Sequence, residues 1–238
     1  MDLVKLAAKL TAAVAPHDLL SHPFYQAWNM GELTREDLRA YAAQYKHQVD
    51  ALPDLLTQAQ RQTADAVTQA ALERNLSEEL GQIAHEGATE IVPHRELWMR
   101  FANGMGASRD EVESCVADAE TRAAVDGLHA VVGQGGIESL AALWTYEMQT
   151  AKVSHTKHEG LVSKYGVTDT GTLSFFKAHE ELDQHHAADL LAALARACDA
   201  PTEEQFEQNL ARACEAASKS AVAQWTFLDG AQARRAKN

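Results

Sequence analysis

The chain has 238 residues, of which 46% are hydrophobic, and carries 34 acidic against 21 basic side chains for a net charge of −13. So acidic a chain argues against nucleic acid and against an anionic membrane surface as partners, since both would repel it. Its cysteines, Cys115, Cys198 and Cys214, are odd in number and lack CxxC spacing, which argues against a disulfide framework or a thiolate zinc site and fits a reduced, cytoplasmic protein.

Few prolines and abundant Ala, Leu, Glu and Gln favour helix throughout, and no stretch alternates in the manner of a strand. The first helix reads as an amphipathic segment interrupted by Asp2, Lys5 and Lys9, which is not a signal peptide. Pro16 breaks it, a short helix spans about 24–29, and Gly31 closes that one. Thr34 is a plausible N-cap for a long helix reaching about residue 60 with Pro53 inside it. Further helices are expected over 65–84 and 94–103. Ser108 to Glu111 reads as a capping box, and helices over 120–132 and 137–164 flank the glycines at 133–136. A helix carrying His179 follows, and a second capping box at Thr202 opens a terminal helix through Trp225 and Phe227. No linker-like composition divides the chain, so one all-α domain over 1–238 is expected. No run of about 18 uncharged apolar residues suggests a membrane span.

The stretch His179-Glu180-Glu181-Leu182-Asp183-Gln184-His185-His186 is the most informative. At about 100° per residue, His179, Asp183 and His186 share one helix face. Mixed nitrogen and oxygen donors on facing helices suit iron, manganese or zinc, and a two-metal bundle site draws on about six ligands. The ordinary alternative is a solvated polar face. Glu147 interrupts an apolar run from Leu140 to Met148, and an unpaired carboxylate buried there would be prohibitive. Glu78 and Glu79 add a carboxylate pair, which alone would read as solvent-facing, and His94 follows a proline at the head of a helix.

These pieces together resemble a known family. His22-Pro23-Phe24-Tyr25, Trp28, Gly31 to Thr34, Tyr41, Asn75-Leu76 with Glu78-Glu79, His94 to Trp98, Tyr146-Glu147, the His179 to His186 stretch and Phe227-Leu228-Asp229 occur in order along nearly the whole chain. The ordered set resembles the family typified by the Chlamydia protein associating with death domains (CADD), among the heme-oxygenase-like diiron oxidases, and more distantly PqqC and TenA. The resemblance implies a single-domain seven-helix heme-oxygenase-like bundle around a dimetal site. Carried across position by position, its ligands would be Glu79, His94, Glu147, His179, Asp183 and His186, holding two transition-metal ions (Fe/Fe or Fe/Mn) that react with molecular oxygen. The segment between the paired glutamates and His94 is longer than in the family, so Glu78 with His85 competes with Glu79 and His94.

The resemblance further implies a p-aminobenzoate synthase, feeding folate synthesis, that consumes its own side chains. Tyr25 would supply the ring, Lys157 the amine, and Tyr41 a radical or hydrogen-bonding role. Without the resemblance, Tyr25 reads as aromatic core and Lys157 as a surface lysine. On a straight helix Lys157 lies about 15 Å from Glu147 and roughly 80° round the axis, so reaching the metals calls for a kink or an extended side chain. Lys152 and Lys164 compete for its role. Expected partners are an external reductant and a second copy of the chain in a homodimer. Alternatives are a dimetal oxidase acting on a diffusible amino acid or fatty acid, and a non-enzymatic helical interaction protein.

Overall fold

The computed structural model describes residues 3–84 and 90–235. Among the described residues the regular structure is helical, in ten α-helices and two 3-10 turns, so the expected count of seven is exceeded. The helices are α1 (Leu3–Val14), α2 (Pro23–Met30), α3 (Arg35–Gln62), α4 (Ala66–Glu79), α5 (His94–Gly104), α6 (Arg109–Ser114), α7 (Ala119–Val132), α8 (Gly136–Ser163), α9 (Thr170–Cys198) and α10 (Glu203–Arg235). The surplus reflects short pieces such as α2 and α6, which capping residues start and stop within two turns. His22 caps α2 by accepting from the Phe24 amide, and left-handed Gly31 ends it. Ser108 caps α6.

Thr34 and Asp37 form a reciprocal capping box that starts α3, and Pro53 lies inside that helix without ending it. Asp65 and Asp169 cap α4 and α9 through their side chains. The helix expected over 65–84 stops at Glu79. There the Gly81 amide bonds the Glu78 carbonyl and the Gln82 amide the Ser77 carbonyl, a Schellman ending built on Gly81 at φ +62°.

Two apolar clusters fill the bundle. One is aromatic, with Phe24, Tyr25, Trp28, Tyr41, Trp98, Phe101, Phe176 and Phe227 buried together. The other is aliphatic, built on Leu6, Leu10, Leu55, Leu56, Leu143 and Leu194. Helices α8 and α9 pack along each other most extensively, with α3, α4 and α5 against their flanks. Polar residues turned inward from α4, α5, α8 and α9 therefore meet where the two clusters join. Among the described residues no helix is long and apolar enough to cross a membrane.

Candidate metal centre

Six residues converge in two groups of three: Glu79, His94 and His179, and Glu147, Asp183 and His186, all buried, with donor atoms in each group within 4.8 Å of one another. These are the six positions expected from the resemblance, and four helices supply them. Glu79 is the last residue of α4 and His94 the first of α5; Glu147 lies mid-way along α8, and α9 provides the other three. Gly81 makes the first group possible. A Cβ there would meet the Pro93 nitrogen at 2.4 Å and the Val92 carbonyl carbon at 2.6 Å, so only glycine lets residues 92 and 93 return against the end of α4. That return sets His94 Nδ1 2.8 Å from a Glu79 oxygen. The competing residue His85 lies outside the described residues.

Hydrogen bonds orient the imidazoles. His179 Nδ1 lies 2.7 Å from the Phe175 carbonyl, to which it donates, leaving Nε2 as a lone pair 3.7 Å from Glu79. His186 donates from Nε2 to Glu78 at 2.7 Å, leaving Nδ1 3.7 Å from Glu147, beyond hydrogen-bond reach. Glu78 therefore sits behind the ligand as an orienting carboxylate, the arrangement commonly found around metal-bound histidines. Asn75 donates to the other Glu147 oxygen at 2.7 Å.

This donor set fits cations. Asp183 is 1% exposed, yet neither of its oxygens has a hydrogen-bond partner. An isolated buried carboxylate is costly enough that it protonates or binds a cation. Burial pushes the Asp183 carboxyl well above the usual carboxylate range, against the pull of His179. Burial would raise Glu79 as well, but His94 and His179 beside it prevail and hold it well below its ordinary value. Glu78, Glu79, Glu147 and Asp183 are all buried, and two divalent ions would balance four carboxylates while the histidines stay neutral. Oxygen and imidazole donors without thiolate suit iron or manganese. Glu79, Glu147, His179 and Asp183, from both groups, line one cavity of about 10 Å³ with Tyr45, Tyr146 and Phe175. That is about the space of one water molecule.

Next to this cavity runs a file of tyrosines. Tyr45 and Tyr146 line that cavity together, the Tyr45 ring stacks on Tyr41 at 5.4 Å, and the Tyr41 and Tyr25 hydroxyls lie 2.9 Å apart. Lys157 ends the file. Its Nζ is 2.5 Å from the Tyr25 hydroxyl, also donates to Tyr41, and sits 3.9 Å from the Tyr25 ring centroid. Lys157 is 3% exposed, whereas Lys152 and Lys164 point to solvent. Helix α8 runs unbroken through Glu147 and Lys157, and Lys157 joins the tyrosines rather than the carboxylates. Burial pushes the Lys157 amine well below its usual range and the Tyr25 and Tyr41 hydroxyls well above theirs. His22 holds α2 in place beneath Tyr25: its Nδ1 takes the Phe24 amide, so Nε2 carries the proton that meets Asp229, 3.1 Å away on α10. Sequence reading assigned Tyr45 and Tyr146 no role of their own. The signal was present in Tyr146 preceding Glu147, and in Tyr45 one helical turn after Tyr41.

The sequence profile of the iron-containing redox enzyme family matches residues 39–219. The chain belongs to that family. This iron-containing redox enzyme is 31% identical over 235 residues to a 4-aminobenzoate synthase of Nitrosomonas europaea, an alignment covering 93% of this chain and 89% of the relative. It shares its fold with a CADD-like protein of unknown function from Nostoc punctiforme, at TM-score 0.74 and 19% identity over 98% of both chains. A heme-oxygenase-like domain from Shewanella denitrificans is similar at TM-score 0.76 and 17% identity, over 98% of this chain and 93% of that one. The enzyme is thus a metal-dependent oxidoreductase of heme-oxygenase-like fold.

Proposed function

We propose that this enzyme is a 4-aminobenzoate synthase that draws the product from its own side chains, the ring from Tyr25 and the amine from Lys157. The observation that carries the reading is the contact of Lys157 Nζ with the Tyr25 hydroxyl inside a sealed aromatic core. The product has seven carbons, and a tyrosine ring with its Cβ has seven. Making one from the other requires Cα–Cβ cleavage, oxidation of Cβ to a carboxyl group, and exchange of the phenolic oxygen for nitrogen. Lys157 stands beside the bond where that exchange occurs. Burial lowers its pKa well below the usual lysine range, which favours the neutral amine with a lone pair for the ring.

Glu79, His94, Glu147, His179, Asp183 and His186 would hold two ions, Fe/Fe or Fe/Mn, with dioxygen as co-substrate and an external reductant. The bound metals would supply the oxidising power for which the side chains have no equivalent. Tyr45 and Tyr146 line the cavity with the ligands, and the Tyr45 ring stacks on Tyr41, whose hydroxyl meets that of Tyr25. The diffusible-substrate alternative fares worse, because a cavity of about 10 Å³ beside the ligands does not admit an amino acid or fatty acid.

The test loads purified protein anaerobically with iron and manganese, adds reductant and oxygen but no aromatic compound, and assays for 4-aminobenzoate by mass spectrometry. Wild type should form it, and Tyr25→Phe and Lys157→Ala should not. Normal product from Tyr25→Phe would transfer the ring assignment to a diffusible molecule.

A further inference from the structure

Helices α4 and α9 meet along a seam whose lining residues repeat at the spacing of one helix face, Thr68 to Asn75 on α4 and His186 to Ala193 on α9. The seam does not close. Ala71 on one side and Ala193 on the other leave a second cavity of about 10 Å³, walled by them and by Leu72 and Leu190. Its outer end is the half-buried Ala71; its inner end is formed by Asn75 and His186, both buried. Those two residues are the back of the metal centre. Asn75 holds one Glu147 oxygen, and His186 turns Nδ1 towards the other. Asn75 Oδ1, on a side chain 3% exposed, has no hydrogen-bond partner at this inner end.

We propose that this seam is the passage by which dioxygen reaches the six-residue site. The inference rests on the reading that oxygen is the co-substrate. Thr68 and Asp189 also line it, but the gap itself lies between the methyl and isobutyl groups of Ala71, Leu72, Leu190 and Ala193, which favour an apolar diatomic, and the width excludes organic molecules. A route that ends on the back of His186 and Asn75 delivers its cargo next to Glu147 without crossing the aromatic core that holds Tyr25 and Lys157. Leucine at either alanine would fill the gap.

The test uses metal-free protein carrying carbon-13 methyl-labelled alanine, with methyl relaxation compared under oxygen and under nitrogen. Dissolved oxygen is paramagnetic, so methyls it visits relax faster. The Ala193 methyl, buried from solvent, should relax several-fold faster under oxygen than those of Ala141 and Ala213, which are equally buried in the aliphatic core. Equal enhancement at all three would overturn the passage. In metal-loaded, reduced protein, Ala193→Leu should slow oxidation several-fold at low oxygen, with metal content unchanged and the difference erased at high oxygen. A wild-type oxygen dependence in that variant would also overturn it. The methyl measurement needs neither metal nor product, so its failure would leave the proposed synthase activity standing.

Discussion

The amine of Lys157 lies 2.5 Å from the hydroxyl of Tyr25, although 132 residues separate them in sequence. Both side chains are almost wholly buried, and Tyr41 contacts each of them. A lysine in such a setting costs stability, because burial strips it of water and disfavours its charged form. Retaining it only for packing would make little sense where methionine would fill the same space.

Lys157→Met should therefore abolish 4-aminobenzoate formation while making the protein more heat-stable at neutral pH. The sign follows from proton linkage. With the folded pKa depressed, the unfolded chain binds an extra proton between that value and the ordinary lysine value of about 10.4, so the native state is penalised there. The penalty fades as pH rises to the ordinary value. The stability gap between variant and wild type should be largest at neutral pH and shrink towards pH of about 10, measured by thermal unfolding across that range.

Purified protein should bind close to two transition-metal ions per chain when reconstituted anaerobically with iron and manganese. Asp183→Ala and His179→Ala should each lose about one of the two ions by elemental analysis, since each removes one member of a group of three. His94→Ala should lose metal too, while His85→Ala keeps it. Saturating metal at about 100 times its dissociation constant should add about 2.7 kcal/mol to wild-type stability for each ion bound. Well-folded protein that takes up no metal would contradict the site.

Much of this centre was legible in the sequence, for physical reasons that differ by residue. His179, Asp183 and His186 were readable because helical periodicity alone puts them on one face. Glu147 stood out as a charge within an apolar run. Glu79 and His94 were readable only through the family pattern, because their meeting depends on the turn at Gly81 and the return of residues 92 and 93. Lys157 was judged by its distance along α8 from Glu147. That geometry is correct, but the partners of Lys157 come from α2 and α3, which helical spacing within α8 cannot reveal. The end of α4 was placed too late because Gly81 lay inside a polar stretch with no helix-breaking proline.

Gly81→Ala offers a test of how the first group is assembled. The left-handed backbone alone costs roughly 1–2 kcal/mol for a residue with a Cβ. The added carbon would also strike backbone atoms of Val92 and Pro93, which cannot rotate away. The variant should stay folded, keep the ion held by Glu147, Asp183 and His186, and lose the ion held by Glu79, His94 and His179. Elemental analysis near one ion per chain is the expected outcome, and two ions would contradict it.

Glu78 and Glu79 should respond differently to the same change. Glu79→Gln removes a ligand and should empty its group, whereas Glu78→Gln only loosens the orientation of His186. Disturbing such outer partners commonly weakens metal binding by about 10- to 100-fold. Metal titrations of the two variants would separate them, and equal losses would mean that Glu78 ligates directly.

Self-sacrifice by Tyr25 is most directly tested by mass. Protein carrying ring-labelled tyrosine is loaded with metal, reduced and exposed to oxygen, and then the intact chain, its peptides and the small-molecule fraction are weighed. The expected result is a mass loss confined to the peptide containing Tyr25, with the ring label recovered in 4-aminobenzoate. Tyr25→Phe, which gives up a hydroxyl interaction of about 1 kcal/mol, should bind metal normally and show neither change. An unaltered Tyr25 peptide that retains its label while 4-aminobenzoate accumulates would contradict the account.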